Sequence, residues 1–142
     1  MRVKDCMSNK TIYAGLETNL KDVSKLMQTN DVGIIPICNN EKKVLGVITD
    51  RDIIVRGIAN SRDMNTTKAH EIMTTGVIKT TPDTDAVDAA RTMSCNQIRR
   101  LPVIKDEALV GMLTIGDLAK NEDIPYGKVG IALEHICDNT KE

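Results

Sequence analysis

Two stretches of this sequence place a hydroxyl and a carboxylate at the same spacing: Gly46-Val47-Ile48-Thr49-Asp50-Arg51-Asp52-Ile53 and Gly111-Met112-Leu113-Thr114-Ile115-Gly116-Asp117-Leu118. In each, an apolar run opened by Gly ends in Thr, and an Asp follows three residues on, where an apolar helical pattern begins. A strand handing over to a helix there would use the Thr hydroxyl as a cap. It would also hold the Asp carboxylate where backbone N–H groups and the helix dipole favour negative charge. The same two side chains can reach past the cap to the sugar and phosphate of a ligand. Capping and binding are compatible, so both readings stay open.

The elements that must position these corners repeat along the chain. Lys4 to Met7 reads as the end of a short helical turn, and Ala69-His70-Glu71-Ile72-Met73 takes the equivalent place 66 residues later. Thr11-Ile12-Tyr13-Ala14 and Val77-Ile78-Lys79-Thr80 each have the length of one short strand. Asn19, with Asp22, opens a helix that sets Leu20, Val23 and Met27 on one face. Asp85 and Asp88 take those roles for Ala86, Ala89, Ala90 and Met93. Next, Gly33-Ile34-Ile35-Pro36-Ile37-Cys38 aligns with Arg99-Arg100-Leu101-Pro102-Val103-Ile104, and the internal Pro predicts a strand start or an edge. Polar turns at 39–43 and 105–107 make each half a hairpin that ends on its Thr-x-x-Asp corner.

The chain therefore divides into a first repeat over 1–60, a polar linker over 61–68 and a second repeat over 69–124. Over 125–142, Pro125 and Gly127 precede an amphipathic C-terminal helix with Val129, Ala132, Leu133 and Ile136 on its stripe, packing on the module or forming part of a dimer contact. One copy of about 60 residues has a marginal core. Two copies packed sheet to sheet about an approximate two-fold axis would bury each other's apolar faces and leave two crevices, each lined by one corner.

Composition narrows the function classes. Hydrophobic residues at 41 % and charged ones at 27 % predict a folded, soluble protein rather than a disordered one. With 19 basic and 20 acidic residues the chain has no global field for nucleic acid or anionic membrane, and the near absence of aromatics removes stacking platforms. Met1-Arg2-Val3-Lys4-Asp5-Cys6 has no apolar signal core and no stretch approaches a membrane span, so a cytoplasmic protein is expected. Cys6, Cys38, Cys95 and Cys137 include no C-x-x-C pair, His135 and Cys137 are placed to point apart on a helix, and His70 stands alone. No metal site is expected, and scattered thiols suit a reduced compartment. No Gly-rich phosphate loop, nucleophile elbow or metal-binding His pair is present, so the chain is not read as an enzyme.

The paired pattern resembles the cystathionine β-synthase domain, or CBS domain, in the tandem arrangement called a Bateman module. The residues that carry the resemblance are Met7 and Met73, Ile35-Pro36-Ile37 and Leu101-Pro102-Val103, and above all the two corners. It implies an α+β fold of two β-α-β-β-α repeats related by pseudo-two-fold symmetry, commonly paired again as a homodimer. It also implies a stand-alone regulatory module that binds an adenosine-containing ligand of the AMP, ADP or ATP class, with S-adenosylmethionine or NAD behind them. No cofactor is required, and occupancy would be passed to an effector protein.

Carried over residue by residue, the ribose-binding carboxylates fall on Asp117 and Asp52, and the hydroxyl contacts on Thr114 and Thr49. Arg99 and Arg100 match places where basic side chains grip phosphate, although exposed Arg is also an ordinary solvated side chain. The first repeat has Gly33 and Ile34 there, with Arg51 as a substitute, so two unlike sites are expected. Base contacts would come from Val77, Ile78, Lys79 and Thr80, or from the Ile12 to Ala14 stretch at the other site. The competing reading is an interaction module that dimerises independently of nucleotide, its ligand sites degenerate.

Overall fold

The computed structural model describes residues 1–121, 124 and 126–137. In the first repeat, the Asn19 side chain accepts from the Asp22 amide at 2.8 Å and starts α1 (Leu20–Asn30), which buries Leu20, Val23 and Met27 as its spacing predicts. The hairpin of β2 (Ile34–Cys38) and β3 (Val44–Thr49) follows, and β1 (Ala14–Gly15) runs parallel to β2. Pro36 therefore lies on the middle strand, not on an edge. It is tolerated because β1 first pairs at Ala14↔Ile37, so the amide that Pro36 lacks faces no strand.

The second repeat repeats this plan with less strand. Asp85 caps α4 (Ala86–Asn96) by accepting from the Val87 amide at 2.8 Å, while Asp88 pairs with Arg91 instead of sharing the cap. Ala86, Ala89, Ala90 and Met93 form its buried face. Strands β4 (Arg100–Lys105) and β5 (Ala108–Thr114) form the second hairpin. The strands expected at 11–14 and 77–80 are shorter than their length suggests. In the second only Thr80 pairs, donating to the Pro102 carbonyl at 3.0 Å and accepting from the Ile104 amide at 2.9 Å.

Each corner turns directly into helix. In the first, α2 (Asp50–Asp52) continues through a wide π-type turn at Ile53–Gly57 and a 3₁₀ turn at Ile58–Asn60; in the second, α5 (Ile115–Ala119) is a single short helix.

The chain forms two compact units that do not follow the order of the repeats. One gathers Met1–Thr11 with the residues from Ile78 onward, and the other is Ile12–Val77. Ser8 exchanges both backbone bonds with Met112 on β5, at 2.9 and 3.0 Å, and Thr74 does the same with Val47 on β3, at 2.9 and 3.0 Å. The segment ahead of each repeat thus completes the corner strand of the other. A Cβ on Gly46 would stand 2.6 Å from Met73 Sδ and 2.9 Å from the Thr74 carbonyl, and one on Gly111 would overlap the Ser8 carbonyl. These close approaches explain why each corner opens with Gly.

Each unit has its own aliphatic core. Val3 joins Ala89, Met93, Leu101, Val103, Leu113 and Leu118 in one, while Ala69 and Ile72 of α3 (Ala69–Ile72) join Leu20, Val23, Ile35, Ile37 and Ile48 in the other. Residues 61–68, expected as a linker, lie within the second of these units. The Leu20 amide donates to the Thr67 carbonyl at 3.1 Å, the Lys21 amide to the Met64 carbonyl at 3.0 Å, and Met64 packs on the core.

The C-terminal helix α6 (Tyr126–Cys137) packs on α4, with Val129 and Ala132 buried and Ile136 against the core. Leu133, expected on that stripe, is instead exposed. Ser94 Oγ and His135 Nδ1 lie 2.5 Å apart, and Gln97 Nε2 donates to the His135 carbonyl at 3.2 Å, adding polar contacts between the two helices. Pro125, the side chain of Cys137 and residues 138–142 lie outside the described residues.

Candidate ligand-binding corners

Both corners are complete capping boxes. Thr114 Oγ1 accepts from the Asp117 amide at 3.0 Å and Asp117 Oδ2 accepts from the Thr114 amide at 2.9 Å; the corresponding Thr49–Asp52 distances are 3.1 and 2.9 Å. The reciprocal bonds fix each carboxylate through one oxygen. What remains for a ligand is the second oxygen, and there the corners differ.

At the second corner, no hydrogen bond or ion pair from the described residues reaches Asp117 Oδ1. Arg100 is half-buried on β4 directly opposite Thr114, and the exposed Arg99 accepts through its carbonyl from the Ile115 amide at 2.9 Å. The hairpin register thus sets the backbones of both arginines next to the corner. Neither guanidinium has an ion-pair partner among the described residues. Thr80 pairs with Val103 on the same sheet and is buried. Ile78 and Lys79, just before it, are exposed. Val77 is half-buried and falls in the other compact unit. Cys6 is part-buried in the same unit, and burial, Asp5 and Asp117 together push its thiol pKa up.

At the first corner, Asp52 Oδ1 lies 3.8 Å from Arg56 Nε, and Arg56 Nη1 donates to the Ile72 carbonyl at 3.1 Å. Ile34 stands opposite Thr49, and the Gly33 carbonyl accepts from the Asp50 amide at 3.0 Å, so these two residues occupy the places of Arg100 and Arg99 without their charge. Arg51 is exposed, Ile12 packs on the core, and Ala14 is buried against Ile37. Sequence reasoning passed over Arg56, although Asp52 and Arg56 show the four-residue spacing of a helical ion pair.

Beyond the corners, no group of three or more His, Cys, Asp or Glu side chains suited to a metal occurs among the described residues. No helix among them is long and apolar enough to cross a membrane.

Two strand–helix–hairpin–helix repeats, each closing on a Thr-capped Asp, define a paired α+β module. The profile of the CBS domain matches residues 3–58 and 69–123, and the chain belongs to the CBS-domain family. CBS domain-containing protein YhcV of Bacillus subtilis is 37 % identical over 135 residues, covering 94 % of each chain. Hypoxic response protein 1 of Mycobacterium tuberculosis is 30 % identical over 134 residues, covering 94 % of this chain and 92 % of that protein. A crystal structure of Hypoxic Response Protein I with two coordinated zinc ions superposes with a TM-score of 0.79 at 30 % identity, over 85 % of this chain and 98 % of that one. The CBS-domain pair of protein MJ0100, solved in complex with 5′-methylthioadenosine and S-adenosyl-L-methionine, superposes with a TM-score of 0.74 at 29 % identity, over 84 % and 94 %.

Proposed function

We propose that this chain is a regulatory CBS-pair module that binds an adenosine-containing ligand of the AMP, ADP or ATP class at the Asp117 corner. The observation that carries this reading is the divided use of one carboxylate: Oδ2 is held by the Thr114 amide at 2.9 Å, while among the described residues nothing bonds Oδ1, on a corner whose facing strand carries Arg99 and Arg100. An ionised carboxylate only accepts hydrogen bonds, so it recognises donors such as the hydroxyls of a ribose. Arg99 and Arg100 supply complementary charge for phosphate and disfavour a sulfonium, which ranks nucleotides ahead of S-adenosylmethionine; NAD ranks behind the mononucleotides. The adenosine compounds bound by the MJ0100 pair support the same ligand class. The module is read as a cytoplasmic homodimer that passes occupancy to an effector protein, with no catalytic step of its own.

Thermal-shift titration with AMP, ADP, ATP, S-adenosylmethionine, NAD and a guanosine nucleotide tests this. A ligand at a hundredfold excess over its Kd adds about 2.7 kcal/mol and raises the midpoint by several degrees. The expected result is a saturable shift with an adenine nucleotide that Asp117→Asn abolishes. Asn retains an acceptor for the Thr114 amide, so the unliganded variant should melt within a few degrees of the parent.

A second reading, a nucleotide-independent interaction module, is favoured by Ile54, Val55 and Ile58. They are 58 %, 46 % and 59 % exposed along the helical run that leaves the first corner. A well-folded protein that responds to none of the compounds would support it.

A further inference from the structure

The two corners share a capping box and differ in what stands against the free carboxylate oxygen. Asp52 has both oxygens committed: Oδ2 to the Thr49 amide at 2.9 Å and Oδ1 to Arg56 Nε at 3.8 Å. Its side chain is only 16 % exposed, so this pair is less screened by water and salt than an open surface pair. Arg56 is itself steadied by its bond to the Ile72 carbonyl at 3.1 Å, which ties the guanidinium to α3. In the second corner the position four residues after the Asp is Asn121, which carries no charge.

Resting on the reading of Asp117 given above, we propose that Arg56 is the residue that closes the first corner to adenosine ligands. A ribose hydroxyl approaching Asp52 Oδ1 must compete with a cation already paired to that oxygen, whereas at Asp117 Oδ1 it meets no such competitor among the described residues. The chain then fills in order, the Asp117 corner first. The first corner binds up to about fivefold more weakly, the scale of a part-exposed ion pair that has to be given up. Where the second corner has Arg99 and Arg100, the first has Gly33 and Ile34, with only the exposed Arg51 to meet a phosphate. Once opened by removal of Arg56, it should therefore favour AMP over adenosine less than the Asp117 corner does.

Isothermal titration with adenosine and with AMP tests the gate in the parent chain, in Arg56→Gln, in Asp117→Asn and in the double variant. The expected results are one tight event per chain for the parent, a second event in Arg56→Gln, none at the same concentrations in Asp117→Asn, and one in the double variant with a smaller preference for AMP over adenosine than the parent shows. A single unchanged event in Arg56→Gln overturns the gate and leaves the Asp117 reading standing. Two equal events in the parent chain do the same. Absence of binding in every variant, all of them folded by circular dichroism, overturns both.

Discussion

Arg100 stands directly across the β4–β5 hairpin from Thr114, the residue that caps α5. The register that pairs the two strands therefore also sets the Arg100 backbone opposite the residue that fixes the Asp117 carboxylate. Arg100→Ala should weaken AMP binding ten- to a hundredfold, as loss of a charge-assisted contact does, and leave adenosine affinity nearly unchanged. Calorimetric titration with both ligands measures the ratio; an equal loss for both would show that Arg100 does not contact phosphate.

Two glycine substitutions should move stability in opposite directions. Gly111→Ala would drive a methyl group into the Ser8 carbonyl and force apart a backbone pair, at a cost of about 2 kcal/mol or more. Gly130→Ala adds a methyl group to open space on α6 and should stabilise by about 0.5–1 kcal/mol through helix propensity. Thermal melts of the two variants beside the parent check both signs.

The thiols should differ sharply in reactivity. Cys38 is buried on β2, and burial pushes its pKa up to about 11, opposed by the nearby Lys42, whereas Cys95 is exposed near the end of α4. Since the thiolate is the nucleophile, timed alkylation near neutral pH should modify Cys95 in the folded protein and reach Cys38 only after denaturation. Peptide mass spectrometry follows each site separately.

Acid should loosen the start of α3 through Glu71. The Lys68 amide donates to its carboxylate at 2.6 Å and Arg62 pairs with it at 3.2 Å; these contacts hold its pKa below the ordinary 4.5. A carboxyl whose folded pKa is depressed contributes stability above its unfolded pKa, and loses it as pH falls through the folded value. Glu71→Gln should therefore melt lower than the parent near neutral pH, and the gap should close below pH 4.5. A gap that stays constant with pH would assign the effect to packing.

The sequence carried much of the local structure because the signals there are local. The Thr-x-x-Asp corners, the Asn19 cap and the buried faces of α1 and α4 each depend on residues within one or two turns of one another. The facing of the Arg100 strand and the Thr114 strand was also legible, since two apolar runs joined by a short polar turn read as a hairpin. Pairing between distant segments was less so. Nothing in Ser8 or Thr74 marks it as the partner of Met112 or Val47, and Val77 reads as continuous with Ile78 although the two fall in different units. Leu133 fits an apolar stripe that is one position too wide for the face α6 buries. Arg56 was readable as an i,i+4 partner of Asp52, but its second tie, to the Ile72 carbonyl, depends on the fold.

The exchange of leading segments has a consequence for how the chain is made. During synthesis, Ile12–Val77 emerges as a stretch that contains every strand of its own unit, including the pairing of Thr74 with Val47, and can close early. Ser8 must wait for Met112, and Met1 to Lys4 for Pro82 to Ala86, so the N-terminal segment docks only as the second repeat emerges from the ribosome. Closing so long a loop favours late docking. Severing the chain between its two repeats would leave each corner strand without the bridging segment that the other fragment carries.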